Sequence, residues 1–369
     1  MPAEGGFPWH RWFHPLCGAD PLTLLSVVAR GGMPAPSRVP AFAIACAMSV
    51  FRLPFTLAER VLDAGASAPA HPPVFVVGHP RSGTTHLHNV LAASGAFATV
   101  PPVLAALPWE RRTIGPLMRP MIEPHLPANR LIDGVEIGRD DPTEDEVGLA
   151  NTGPLSYFHA LYFPRHFARD YRAGLLHLGT ARTRRGRERA IARYVRNMGR
   201  RSVDRPLLLK NPAYTARVDL LAQLFPGAKV IHIHRDPAAV FSSAHRALAI
   251  ALREMSFQDA AQVDLDAAIL ETYPEMMASL RRSRDALPEG CFAEIAFEDL
   301  VADPDATLGR LWADLDLPGG AGSAIGYCRE VAGYRTQSSP LPPARRDALR
   351  RLWPADFAAY GRPSEAAGG

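Results

Sequence analysis

The sequence predicts an α/β fold: three layers, with a mostly parallel sheet flanked by helices. Three observations carry that expectation. Short apolar runs at 74–78, 207–210, 229–234 and 291–296 read as strands, and they alternate with helical runs at 84–94, 214–225, 237–252 and 304–316. Two of the strand ends pass directly into loops with the residue types that hold phosphate groups. The length of 369 residues, 47% of them hydrophobic, is enough to bury a full core around such a sheet.

The first strand, Val74-Phe-Val-Val, ends at Gly78, and His79-Pro-Arg-Ser-Gly83 leads into a helix opened by Thr84 and Thr85. A strand, a glycine-bounded loop and a helix N-terminus together aim several backbone N–H groups and the positive helix end at one spot, a cradle for phosphate. The spacing of Gly78 and Gly83 matches the frame of a P-loop, but Thr84 stands where that motif has its lysine. The cation is instead Arg81, two residues before the second glycine. No apolar strand ends in an aspartate placed to hold magnesium. The loop is therefore P-loop-like and suits a phosphate ester better than a metal-chelated triphosphate.

The third strand, Lys229-Val-Ile-His-Ile-His234, is followed by Arg235-Asp236-Pro237. Asp236 is a good N-cap and Pro237 a good first helical residue. Ser243 lies about two turns beyond Asp236, so its hydroxyl returns to the strand–helix junction. Arg235 and Ser243 can grip one phosphate from two sides. The second strand ends in Lys210, one of only two lysines among 41 basic residues. A lysine is a compact point charge with rotatable donors, unlike the planar arginine fork. It reads either as a residual strand-end lysine or as a charge placed for chemistry.

Pro80-Arg-Ser-Gly-Thr-Thr85 resembles the 5′-phosphosulfate loop of sulfotransferases that use 3′-phosphoadenosine-5′-phosphosulfate (PAPS), and Arg235 with Ser243 resembles their 3′-phosphate element. The resemblance runs from about 70 to 310, with a weaker tail to about 360. It takes in Asp140-Asp-Pro-Thr-Glu-Asp-Glu146, Tyr157-Phe-His-Ala-Leu-Tyr-Phe-Pro164 and Phe297-Glu-Asp-Leu-Val-Ala-Asp-Pro304. It implies a sulfotransferase-type fold and transfer from PAPS to a hydroxyl or amine of a small-molecule or lipid-like acceptor. Arg81, Ser82, Gly83, Thr84 and Thr85 would hold the 5′-phosphate and Arg235 and Ser243 the 3′-phosphate. Lys210 and Arg81 would act in catalysis, Lys210 on the bridging oxygen. His86 takes the place of an adenine-stacking aromatic, and no metal is implied. His79 and His88 read as scaffold.

The resemblance fails at the general base. Tyr214 and Pro212 occupy the positions at which sulfotransferases carry a histidine. Glu144 and Glu146 are the candidate bases, because three successive acids repel and raise one another's pKa. The alternative is a helix start capped by Thr143 with acids in its first turn. Glu110 is a weaker candidate, and Tyr214 a candidate for orienting the acceptor.

Domain organisation reads as an N-terminal helical extension over 1–70 and a sulfotransferase domain over 71–369, with an acceptor-binding insertion at about 100–205. The aromatics Tyr157, Phe158, Tyr162 and Phe163 in that insertion suit either an apolar acceptor or a plain core. The net charge of +4 is too modest to imply nucleic acid. Four scattered cysteines and a start without a basic-then-apolar signal pattern point to a cytoplasmic protein. The apolar stretch 41–51, broken by Arg52 and Pro54, is shorter than the roughly 20 residues of a membrane span. It reads as a packed helix or as a dock for a lipid-like acceptor or the inner membrane. Nine arginines against one glutamate within 182–201 read as a solvated helix face or an anionic-lipid dock. Two rival functions stay open: a P-loop kinase using ATP, and a catalytically impaired, membrane-docking relative.

Overall fold

The computed structural model describes residues 14–63, 69–125, 138–200, 204–331 and 341–362. Arg201, the last of the arginine run, lies outside them, as do 1–13 and 64–68 of the N-terminal extension. By internal packing the chain divides into two units. One comprises 1–69, 100–201 and 248–264; the other comprises 70–99, 202–247 and 265–369.

The second unit holds the sheet. Its strands are β1 (Val74–Val77), β2 (Leu208–Lys210), β3 (Lys229–His234) and β4 (Phe292–Ala296), in the order β2-β1-β3-β4. Every pairing is parallel. β1 is buried along its whole length, as expected of a strand covered on both faces. Register sets Val76 beside Lys210 on one side and Ile231 on the other. Strand order reverses direction between β1 and β3, and ligands of such sheets bind in the crevice beyond the strand ends at that point. Val74, Val76, Ile231 and Ile233 pack against Leu87 and Leu91 of the Thr84–Ala93 helix and Leu308 and Leu311 of the Pro304–Leu315 helix. The run expected as one helix over 214–225 is a 3-10 turn, Pro212–Arg217, followed by an α-helix, Val218–Leu224. Asn211 causes the tighter start, its side chain accepting the Ala213 N–H at 2.9 Å.

The first unit is helical. Its longest element, Val39–Asp63, overturns the expectation that Arg52 and Pro54 break the apolar run at 51. An interior proline costs about 3 kcal/mol, and the helix is anchored beside it by Arg52, two residues before. Buried Arg52 donates to Glu110 at 3.2 Å and to the Gly18 carbonyl at 2.9 Å. The Ala181–Gly199 helix carries most of the arginine run. Arg182, Arg184, Arg185, Arg189 and Arg196 are exposed, whereas Arg187 is buried in an ion pair with Glu146. The solvated-face reading therefore fails at Arg187.

Candidate active site

Backbone conformation makes the loop after β1. Gly78 takes φ 153°, Arg81 φ 77° and Gly83 φ 102°. At Gly78 a Cβ would lie 2.4 Å from the Ile233 carbonyl oxygen, and at Gly83 2.4 Å from the Phe297 ring. Both positions require glycine, for the left-handed backbone and for the close approach. Arg81 adopts the left-handed region without being glycine, a strain of the kind found where function dictates placement.

Side chains then stitch the loop to both neighbouring strands. The Gly78 N–H donates to Thr215 Oγ1 at 2.7 Å, tying the loop to the segment after β2. The Ser82 hydroxyl donates to the Ile233 carbonyl at 2.9 Å, tying it to β3. The Thr84–Ala93 helix starts at Gly83 with no side chain capping its first turn. Its leading amides therefore point toward whatever the loop encloses. His79 lies buried beneath, its ring 4.9 Å from that of Tyr273, with its pKa lowered to about 4 by burial. His88 is buried as well.

Across the switch point, Asp236 Oδ1 accepts the Ala238 and Ala239 amides at 3.0 and 3.1 Å and starts the Pro237–Met255 helix. Arg346 donates to both Asp236 oxygens, at 3.0 and 2.7 Å, and the Arg362 N–H donates at 3.0 Å. Burial alone would raise the Asp236 pKa, but these donors and the Arg346 charge hold it below its ordinary value. Arg235 lies 4.8 Å over the Phe297 ring. Burial lowers its pKa first; Glu298 and Asp236 oppose that shift, and the charge of Arg81 adds to it.

The two elements meet. Arg81 Nε donates to Ser243 Oγ at 3.1 Å. A loop arginine from the end of β1 and a serine two turns into the helix after β3 thus share one place, within electrostatic reach of Arg235. Guanidinium groups within electrostatic reach repel, and Glu298 and Asp236 offset part of the charge at Arg235. Lys210, ending β2 level with Val76, is only 2% exposed, an uncommon state for lysine. Arg81, Ser82, Gly83, Thr84, Thr85, His86, Lys210, Arg235 and Ser243 all fall in the second unit, about the ends of three adjacent strands.

Sequence reasoning gave Phe297 no role. It follows the end of β4, touches Arg235, stands 5.9 Å from the His86 ring and fills the space a Gly83 side chain would need. The signal was available, since it occupies a strand end like Lys210 and Arg235. Arg346 and Arg362, more than 100 residues from Asp236, left no local signal. Tyr214 is fully buried, its ring edge-on to Phe75 at 5.4 Å.

The acids lie in the first unit. The short helix Glu146–Leu149 begins after Asp145, and no side chain caps it; the Thr143 amide instead bonds the Val100 carbonyl. Glu146 is buried against Arg187, and Glu144 is half-buried and accepts the Tyr157 hydroxyl. That carboxylate reinforces burial in raising the Tyr157 pKa well above its ordinary value. Glu110 is buried with Arg52; burial raises its pKa and Arg52 opposes the shift. Tyr157, Tyr162 and Phe163 are core residues.

A family model described as the sulfotransferase family matches residues 72–319, which contain every one of these strand-end residues. The chain belongs to that family, and it is a transferase by membership. It is 29% identical over 298 residues to the omega-hydroxy-beta-dihydromenaquinone-9 sulfotransferase Stf3 of Mycobacterium bovis, covering 79% of this chain and 76% of the relative. The corresponding Mycobacterium tuberculosis protein matches equally. The fold is that of solved sulfotransferases. STF9 from Mycobacterium avium superposes with a TM-score of 0.67 at 18% identity, covering 92% of this chain and 91% of that one. STF1 from Mycobacterium tuberculosis gives 0.63 at 18%, covering 90% of each.

Proposed function

We propose that the protein transfers a sulfuryl group from PAPS to a hydroxyl of a lipid-like acceptor. The observation that carries this reading is the meeting of Arg81 with Ser243, because a donor with phosphates at two ends of one ribose needs two adjoining anion elements. The residues present suit that donor. The loop amides, Arg81, Thr84 and Thr85 bind its 5′-phosphate, Ser82 acts by holding the loop to β3 through its hydroxyl, and Arg235 and Ser243 bind its 3′-phosphate. Phe297 and His86 offer ring surfaces beside these groups for a purine.

The donor supplies an activated sulfuryl group; the protein supplies position and charge. Transfer of this kind proceeds in line through a loose transition state, so placing charge on the departing oxygen is the main catalytic task. Lys210 does this, its buried ammonium gaining strength from the low local dielectric. Arg81 steadies the same phosphate. We assign the acceptor proton to Glu144, which is half-buried and already accepts the Tyr157 hydroxyl, whereas Glu146 is buried against Arg187 and Glu110 against Arg52. The lipid-like acceptor is supported by the relative named for a menaquinone substrate.

The test is single-turnover transfer from labelled PAPS to a membrane lipid extract, with isothermal titration of the product nucleotide 3′-phosphoadenosine-5′-phosphate. The reading expects a sulfated lipid and nucleotide binding tighter than that of magnesium–ATP. Tighter binding of magnesium–ATP would overturn it in favour of a kinase. Glu144→Gln should slow transfer at least about 100-fold, the usual scale of general base catalysis, and leave nucleotide affinity unchanged; full activity in that variant removes Glu144 from the mechanism.

A further inference from the structure

The Val39–Asp63 helix is built inside out. Its buried positions hold Ser49, Arg52, Thr56 and Glu59 beside Ala41 and Ala45. Between Val39 and Leu62 every exposed residue is apolar, including Val50, Phe51, Leu53, Leu57, Val61 and Leu62. Val61 is 76% exposed and Val50 65%. A helix on a water-facing surface turns its polar residues outward; this one turns them in and satisfies them there. The Ser49 hydroxyl donates to the Ala19 carbonyl at 2.8 Å, Arg52 pairs with Glu110, and Glu59 accepts the amides of Arg112 and Thr113.

Two neighbouring helices repeat the pattern. In Pro21–Gly31, which packs on Val39–Asp63, the exposed residues are Leu22, Leu25 and Ala29. In Gly115–Ile122, which begins just after the amides that Glu59 binds, they are Pro116, Leu117, Pro120 and Met121. Among the described residues, the large exposed apolar side chains outside these three helices are only Met33, just beyond the end of Pro21–Gly31, Val301 and Leu352. An apolar surface of this extent marks an interaction site.

Charge identifies the occupant. Arginines gather at the carboxyl end of the inverted helix. Arg200 pairs with Asp63 at 3.0 Å, and exposed Arg112 reaches the Leu62 carbonyl at 3.4 Å. Half-buried Arg60 and Arg193 lie over the Trp109 ring, at 4.7 and 5.1 Å, and Arg60 also pairs with Asp20 at 3.8 Å. Apolar side chains rimmed by cations are the requirement for resting in the interface of an anionic bilayer. We propose that this face docks the protein on an anionic lipid bilayer, lying on the membrane without crossing it. Pro36–Asp63 has the 28 residues to span a membrane. Spanning would, however, strip Arg52 and Glu59 from their partners and carry them into hydrocarbon. The surface is wider than the 41–51 segment, and it recruits the far end of the arginine helix instead of its exposed first turns. The inference stands on the polarity of these helices and is independent of the acceptor's identity.

The experiment is co-sedimentation of the full chain with vesicles of phosphatidylcholine alone or mixed with phosphatidylglycerol, without donor or acceptor. The protein should pellet with the mixed vesicles and more weakly with the neutral ones. The triple variant Val50→Glu/Leu57→Glu/Val61→Glu should bind at least about tenfold more weakly and retain wild-type nucleotide affinity. Leu117→Glu/Met121→Glu should repeat the loss from a separate helix, and Val301→Glu/Leu352→Glu should bind like wild type. Wild-type protein that stays in the supernatant overturns the proposal, as does undiminished pelleting of both apolar-face variants. So does a stable dimer that those variants convert to monomer, since a second copy then covers the face. Loss of sulfuryl transfer alone leaves it standing.

Discussion

Lys210 ends a strand in a setting that excludes water, so its charge is expensive to hold there and strong in its effect. Lys210→Ala should remove at least about 100-fold of the rate, the scale of one preorganised charge aimed at a transition state, and change product-nucleotide affinity little. Pre-steady-state transfer beside calorimetric titration separates the two; unchanged turnover removes Lys210 from the chemistry. Gly83 makes the opposite kind of demand, for space. Gly83→Ala puts a methyl 2.4 Å from the Phe297 ring at φ 102°. The left-handed backbone alone costs about 1–2 kcal/mol, so denaturant unfolding should register at least that loss, with nucleotide binding impaired. A variant as stable as wild type would mean that the loop relaxes freely, contrary to its stitching by Thr215 and Ile233.

At the scale of elements, three of the four strands were legible because each is an apolar run stopped by a chemically distinctive residue, Gly78, Lys210 or Arg235, and the fourth was legible as an apolar run alone. The Asp236 cap and the return of Ser243 to the junction followed from helical periodicity. Two features were illegible for physical reasons. The Val39–Asp63 helix was read as broken because Arg52 and Pro54 are poor company for an apolar run, and the carboxylate that buries Arg52 comes from residue 110. The two-sided grip of Arg346 and Arg362 on Asp236 joins residues 110 and 126 positions apart, a separation at which no local pattern operates. That grip fixes the helix start beside Arg235. Arg346→Ala should therefore raise the dissociation constant for 3′-phosphoadenosine-5′-phosphate several-fold while preserving affinity for adenosine-5′-phosphate. Equal weakening of both would show a general loss of structure instead.

Across the whole molecule, burial holds the pKa values of four histidines far down. His14 and His159 are lowered to about 3, and His79 and His234 to about 4, from an ordinary 6.5. Below pH 6.5 the unfolded chain takes up protons that these sites refuse, so stability present above 6.5 is lost as pH falls toward 4. Each site contributes a slope of up to about 1.4 kcal/mol per pH unit in that window. Urea midpoints should fall steeply from pH 6.5 to 5, and His79→Gln should flatten the descent. A level profile would mean that these rings accept protons in the fold. Both units contribute, His14 and His159 in the first and His79 and His234 in the second.

The central claim is that one nucleotide bridges the ends of β1 and β3, and the most direct measurement is a thermodynamic cycle. Calorimetric titration of 3′-phosphoadenosine-5′-phosphate and adenosine-5′-phosphate into wild type and Arg235→Ala isolates the 3′-phosphate. Wild type should prefer the doubly phosphorylated nucleotide by about 1.5–3 kcal/mol, the scale of a hydrogen bond to a charged group, and the preference should vanish in the variant. Equal affinity for both nucleotides in wild type, or a preference that survives loss of Arg235, would contradict the account.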